Sequence, residues 1–139
     1  MTTLREDATA SAELTVDVPD LATTLEQSPG DTFPAVFATS RMIALMEVAA
    51  ARLMRQCLSE GELSVGVSVD VVHSAATPLG SRVIAQARYL GSEGRLFKFE
   101  VTAWDEGGLI GRGTHQRAIV SAERLVRGAL RRIGCSSAA

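Results

Sequence analysis

The sequence feature that most constrains the fold is a stretch of helical periodicity from Phe37 to Leu58. Its apolar residues recur at spacings of three and four, which predicts one long helix with a buried face. That face comprises Met42, Met46, Ala49, Leu53 and Cys57, widened by Ile43, Ala50 and Met54. The opposite face is polar, with Arg41, Arg52, Arg55 and Gln56. We expect the hydroxyl of Thr39 or Ser40 to cap the start, and Glu60-Gly61 to stop the helix.

Glu47 breaks the pattern of the apolar face, since it lies on the line of Ile43 and Ala50. A carboxylate placed there loses hydration, which only a partner or a function offsets. Two interpretations follow. Glu47 either bonds Arg52, Arg55 or a backbone group at the rim of the face, or serves as a base in an active site.

Outside the helix the apolar residues alternate, which is the period of a strand. Leu14, Val16 and Val18 predict a first strand before the helix. Four more strands follow it, with expected inward faces at Val65, Val67, Val69, Val71 and His73, at Val83, Ala85, Ala87 and Tyr89, at Phe97, Phe99, Val101 and Ala103, and within 109–121. A short helix over 122–133 closes a single domain of residues 12–133. Residues 1–11 and 134–139 are expected to be flexible termini.

Short turns between the last four strands force antiparallel neighbours. A sheet with one apolar face and a single buried helix is predicted to wrap around that helix. The fold class is therefore α+β, a hotdog arrangement of five antiparallel strands around one long helix. Such a sheet leaves an open edge, so a homodimer, or a higher oligomer built from it, is a natural solution.

The composition limits the classes of partner and cofactor that we expect for this chain. The net charge is −2, Lys98 is the only lysine and no basic run is present, which argues against a nucleic-acid partner. No apolar run suits a membrane span, and the N-terminus does not read as a secretory signal. The two cysteines, Cys57 and Cys135, are expected to be thiols in a reducing cytoplasm. The spacing of histidines and cysteines suits no metal, and no cofactor is predicted.

Three residues stand out as able to move protons. His73 ends the valine strand, and this strand must pack against the helix that carries Glu47. A carboxylate and an imidazole together can position and deprotonate a water or a hydroxyl. Thr39 lies two turns before Glu47 and supplies such a hydroxyl, as nucleophile or as donor. Each also has a structural interpretation: Thr39 as a cap, Glu47 and His73 as a buried pair.

Two further positions could contact a ligand. Gly66 lies within the valine strand, where a glycine indicates either a bulge or a bare backbone N–H presented to a substrate carbonyl. Arg117 lies in the last strand, where it can pair with an acid or meet a ligand phosphate or carboxylate. His115 shares the face of Arg117 by parity and is interpreted as a structural or surface group.

The sequence resembles the hotdog thioesterases similar to fluoroacetyl-CoA thioesterase, over roughly residues 33–120. The resemblance rests on FPAVFATSRMIALMEVAA, on SVGVSVDVVHSAATPLG and on GRGTHQRAIV. It implies that Thr39, Glu47 and His73 form the catalytic set. It also implies that Gly66 and Arg117 contact the substrate, and that Phe33 belongs to a lid, in SPGDTFP.

The expected activity is therefore hydrolysis of a small acyl-CoA thioester to the acid and CoA. Arginines would hold the CoA phosphates, and the candidates are Arg82, Arg88, Arg95 and Arg112. Two alternatives stay open: a hotdog hydratase or dehydratase acting on an acyl thioester, which gives Thr39 no evident role, and a non-catalytic acyl-CoA-binding dimeric module.

Overall fold

A computed structural model describes residues 3–134. Five strands and two α-helices make up the fold, with short 3-10 turns between them. The elements are β1 (Thr9–Thr15), α1 (Thr39–Met54), β2 (Glu62–His73), β3 (Arg82–Glu93), β4 (Leu96–Asp105), β5 (Gly108–Ser121) and α2 (Ala122–Arg132).

The five strands form one sheet in the order β1-β3-β4-β5-β2, with every pair antiparallel. The sheet curls around α1, whose apolar stripe is buried against it. The inward faces predicted for β3 and β4 are confirmed, since Val83, Ala85, Val101 and Ala103 are fully buried. The predicted hotdog fold is therefore confirmed, and β2 lies at an open edge.

The N-terminal part of the chain differs from the prediction. β1 begins at Thr9, and Leu4 is already packed in the core, so residues 3–11 are ordered rather than loose. The strand also ends at Thr15, because Asp17 and Pro19 start a 3-10 turn. Val18 consequently lies in that turn and is exposed, although its alternation with Leu14 suggested a strand position.

The ends of α1 were also predicted wrongly. The N-cap is Ala38, which offers no side-chain bond, and neither Thr39 nor Ser40 serves as the cap. The helix ends at Met54 and tightens into a 3-10 turn over Arg55–Cys57. Gly61 has a left-handed φ of 82°, but it belongs to the turn that enters β2 rather than to a helix stop.

The valine face of β2 is interrupted by a β-bulge between Gly66 and Ser68. Directly opposed residues of an antiparallel pair point to the same side. Gly66 opposes Arg117 and Val69 opposes His115, and both partners are buried, so Gly66 and Val69 face inward despite their different parity. The prediction of one continuous face from Val65 to Val71 is therefore wrong, because the extra residue reverses the alternation.

The last helix, α2, lies close to its predicted range of 122–133. None of its residues is buried. Leu125 and Val126 of the helix, and Ile133 directly after it, project from the surface of the single chain. Cys57 is a free, buried thiol, while Cys135 lies outside the described residues.

Candidate active site

The first group of the site joins the start of α1 to the end of β2. Thr39 Oγ1 lies 2.7 Å from His73 Nδ1, a hydrogen bond between residues that are 34 positions apart. Because the Thr39 hydroxyl contacts the imidazole, it does not cap its own helix. The other ring nitrogen, His73 Nε2, is buried and has no hydrogen-bond partner among residues 3–134. Burial lowers the pKa of His73, while the backbone of Ala75 acts in the opposite direction.

Backbone contacts hold this pair in place from both sides. Phe37 donates its N–H to the Thr77 carbonyl, and Ala38 donates to the Asp20 carbonyl, which fixes the first turn of α1. Arg41 adds an ion pair to the buried carboxylate of Asp20 at 3.1 Å. After His73, the N–H of Ser74 bonds the Ile110 carbonyl of β5 at 2.7 Å. The positions of Thr39 and His73 are thus fixed by hydrogen bonds of the surrounding backbone and by one ion pair.

Thr39 and His73 open onto an apolar cleft with a volume of about 460 Å³. Phe33 lines this cleft, and its role as a lid residue stays a prediction. Its loop is tied down by local bonds, since Glu26 accepts from the Phe33 N–H and Asp31 accepts from the N–H groups of Gln27 and Ser28. Carbon atoms form most of the cleft wall, which suits an acyl chain more than a charged group.

The second group lies farther along α1 and contains Glu47. Its carboxylate Oε1 is 3.3 Å from Nη1 of Arg117, whose side chain is only 7% exposed, against 43% for that of Glu47. The partner of Glu47 is therefore Arg117 of β5 and not Arg52 or Arg55, which are exposed on the other face. Burial lowers the pKa of Arg117, and the charge of Glu47 opposes that shift.

Gly66 lies against this ion pair because of the bulge in β2. A Cβ atom built on Gly66 would overlap Glu47 Oε1 and come within 3.2 Å of His115 Cε1. A side chain at position 66 would therefore displace the Glu47 carboxylate from its present place. Glu47, Gly66 and His115 together line a second hollow of about 220 Å³.

His115 is the residue of this group that sequence reasoning missed as a site component. It is 2% exposed, and its ring bonds both the Ser68 carbonyl and Arg117 Nη1. Its shared parity with Arg117 was the available signal. The bulge that brings the Ser68 carbonyl to it left no trace in the periodicity.

The two groups are separated within one chain. Thr39 and Glu47 are eight residues apart on α1, which corresponds to about 12 Å along the helix axis. No hydrogen bond among the described residues joins Glu47 to Thr39 or His73. The structure therefore brings Thr39 to His73, and Glu47 to Gly66 and Arg117, but it leaves the two groups apart.

Two of the four arginines suggested for CoA phosphates are already engaged. Arg82 pairs with Glu13, and Arg88 pairs with Asp7 and Glu100. Within 3–134, Arg95 and Arg112 take part in no ion pair. The absence of a metal stays a prediction, although this part of the chain holds no cluster of three or more residues suited to a metal ion. Over the same residues, no helix has the length and apolarity needed to span a membrane.

Comparison with known proteins identifies relatives of the whole domain. A family model described as fluoroacetyl-CoA-specific thioesterase, FlK, matches residues 16–123. The fluoroacetyl-CoA thioesterase of Streptantibioticus cattleyicolor is 45% identical over 92 residues. That alignment spans 66% of this chain and 66% of the relative.

Solved structures agree with this match. A structure of the fluoroacetyl-CoA thioesterase FlK has a TM-score of 0.87 at 35% identity, with 94% of this chain and 98% of that chain covered. A thioesterase superfamily member from Thermus thermophilus has a TM-score of 0.84 at 28% identity, with 96% and 95% covered. Both likenesses extend over nearly the full length of the proteins compared.

Proposed function

Since the chain belongs to the family of fluoroacetyl-CoA-specific thioesterases, we propose that it hydrolyses a small acyl-CoA thioester to the carboxylic acid and CoA. The observation that carries this proposal is the contact between Thr39 and His73 at the mouth of an apolar cleft. A hydroxyl, an imidazole and an apolar cleft for the acyl group are the parts that acyl transfer needs.

The protonation of His73 supports this chemistry. If the Thr39 hydroxyl donates to Nδ1, the neutral ring carries its proton on Nε2. That nitrogen is the buried atom without a partner in the described chain, and an unpaired buried donor is costly. A substrate carbonyl oxygen or the departing sulfur of CoA would accept its hydrogen bond.

The reaction has two bond changes at the carbonyl carbon. A water oxygen bonds to that carbon, and the carbon–sulfur bond then breaks. In a two-step route Thr39 Oγ1 makes the first bond, and water afterwards cleaves the acyl-Thr39 ester to release the acid. The proton lost by the nucleophile goes to a base, which we assign to Glu47, and from there to the departing CoA thiolate, while the neutral His73 donates a hydrogen bond through Nε2 and keeps its proton. The bare backbone at Gly66 suits a donor for the developing oxyanion.

A base that is about 12 Å away along the helix cannot serve Thr39 of its own chain, and a homodimer resolves this difficulty. β2 is an edge strand, and its residues Val67, Val69 and Val72 are 53%, 41% and 65% exposed. Antiparallel pairing of two β2 strands about a twofold axis between Val69 and Asp70 would set Gly66 opposite the partner's His73. Each site would then combine Thr39 and His73 of one subunit with Glu47, Gly66 and Arg117 of the other.

The decisive assay for the activity is release of free CoA from a panel of acyl-CoA esters, followed with a thiol reagent. The panel should include acetyl-, fluoroacetyl- and longer apolar acyl groups. Turnover of at least one ester well above the uncatalysed rate supports the proposal, whereas hydration of an enoyl-CoA without CoA release would favour a hydratase. Binding without either reaction would leave an acyl-CoA-binding module.

The dimer and the compartment are separate parts of the proposal. Light scattering at micromolar concentration should give the mass of two chains, and a monomer would remove the basis for a shared site. A reducing cytoplasm is the compartment we propose, because the buried Cys57 is a free thiol.

A further inference from the structure

The hydrogen bonds of His115 define the state of its ring. Nδ1 lies 2.8 Å from the Ser68 carbonyl oxygen, and Nε2 lies 3.1 Å from Nη1 of Arg117. A carbonyl can only accept and a guanidinium can only donate. The ring must therefore be neutral, with its proton on Nδ1 and its lone pair on Nε2.

Arg117 is held on two sides, and His115 holds the side that faces Glu47. Nε donates to Ser64 Oγ at 3.0 Å, and Nη2 donates to the Ser64 carbonyl at 2.9 Å. The remaining nitrogen, Nη1, carries two hydrogens, one directed to His115 Nε2 and the other to Glu47 Oε1 at 3.3 Å. Without the acceptor on His115, the hydrogen that now bonds it would be left buried and unpaired.

We propose that His115 is a positioning residue, which acts through Arg117 to fix the Glu47 carboxylate beside Gly66. This inference rests on the proposed role of Glu47 as the base of thioester hydrolysis. His115 itself touches Arg117 and the bulge rather than the cleft at Thr39. Its effect on the reaction would come from orientation, and small displacements of a catalytic group are costly.

The surroundings of the ring favour its neutral form. Burial lowers the pKa of His115, and the nearby charge of Arg117 lowers it further, while the Ser68 carbonyl and Glu47 act in the opposite direction. The charged groups facing the ring are Glu47 from α1 and Arg117 from β5. β4 contributes the uncharged ring of Phe99, with ring centres 6.4 Å apart. A proton on Nε2 would place two donors against each other.

Two substitutions separate the two hydrogen bonds of His115. The amide of His115→Gln reaches the place of Nε2 and can accept from Arg117, whereas that of His115→Asn reaches only the place of Nδ1 and can donate to Ser68. We expect His115→Asn to lose roughly 10- to 100-fold in kcat with little change in KM. His115→Gln should keep about tenfold more of the turnover than His115→Asn at comparable thermal stability. Equal kcat values for the two variants would overturn the proposal.

A second measurement does not depend on turnover. ¹⁵N NMR of the full-length protein at pH 7 should show His115 as a neutral ring protonated on Nδ1. A crystal structure of His115→Asn should show Arg117 Nη1 displaced from Glu47. A protonated ring, the other tautomer, or an unchanged Glu47–Arg117 contact would overturn the positioning role. If no acyl-CoA ester were hydrolysed by the unmodified protein, these results would still test the positioning of Glu47, while the assay would count against the proposed function.

Discussion

The two groups of the site differ in how completely their polar atoms are satisfied. At the cleft, His73 keeps a buried nitrogen without a partner in the described residues, next to a hydroxyl that could react. Around Glu47, the guanidinium of Arg117 donates to a serine, a carbonyl, an imidazole and a carboxylate. The first group therefore has a free hydrogen-bonding atom for a ligand, whereas in the second group the hydrogen bonds of Arg117 are already made within the protein. Substitutions should affect the two groups differently.

The largest effect is expected at Glu47. Glu47→Gln keeps the size of the side chain but removes the base, so kcat should fall by about 10²–10⁴-fold. The fold should survive, because the amide oxygen can still accept from Arg117. A matched control is Glu60→Gln, since Glu60 is exposed in the turn before β2. Wild-type kcat in Glu47→Gln would return this residue to a structural role.

Gly66→Ala should come next, because it disturbs the same carboxylate from the other side. The new methyl group would overlap Glu47 Oε1, and the flexible end of that side chain can move away at small cost to the fold. We expect a loss of roughly 10- to 100-fold in kcat with a thermal midpoint close to that of the wild type. Gly30→Ala is the control, since nothing lies within 4 Å of a Cβ there. A similar loss of kcat in both variants would mean that the close contact between Glu47 and Gly66 does not matter for turnover.

Thr39→Ala is expected to cost less if water attacks directly. It removes one hydrogen bond to His73, and about 1.4 kcal/mol of lost orientation corresponds to a tenfold drop in rate. Thr39→Ser keeps the hydroxyl and should retain most of the rate. Complete loss of turnover in Thr39→Ala, with trapping of an acyl group on the wild-type protein, would instead establish the hydroxyl as nucleophile.

The smallest effect concerns the pH dependence of stability. Burial lowers the pKa of both His73 and His115 in the folded chain. At a pH below the ordinary histidine pKa of about 6.5, the unfolded chain therefore binds more protons than the folded chain. The free energy of unfolding consequently falls as the pH drops from about 6.5 toward the pKa values of the two histidines in the folded chain. Denaturant unfolding between pH 7 and pH 5 should show this fall, with a shallower slope in His115→Gln. An unchanged slope would show that His115 does not contribute.

Sequence reasoning predicted the parts of the fold that follow a regular period. These parts are the buried stripe of α1, the inward faces of β3 and β4, and the arrangement of one sheet around one helix. A bulge was one of two interpretations of Gly66 and is confirmed, but the valines on either side of it were still assigned to one continuous face, because the extra residue reverses the alternation without altering the composition. Sequence reasoning left Thr39 open between a cap and a catalytic hydroxyl, since the contact with His73 depends on tertiary packing and not on local sequence.

The candidate site shows the same division. Glu47 was recognisable as a carboxylate on an apolar face, and Arg117 as an arginine within a strand. Their pairing was not predictable, because it joins residues 70 positions apart. His115 carried no signal beyond its parity with Arg117, and its role becomes visible only when the Ser68 carbonyl is placed beside it.

The claim that the two groups meet across a dimer is tested most directly by subunit complementation. Glu47→Gln and His73→Ala chains, carrying different affinity tags, can be co-expressed and the mixed dimer isolated. If each site takes Glu47 from one subunit and His73 from the other, the mixed dimer holds one intact site and should recover about half of the wild-type activity, while both parent homodimers stay impaired. A mixed dimer as inactive as its parents would show that Glu47 and His73 act within a single chain, which would contradict the account.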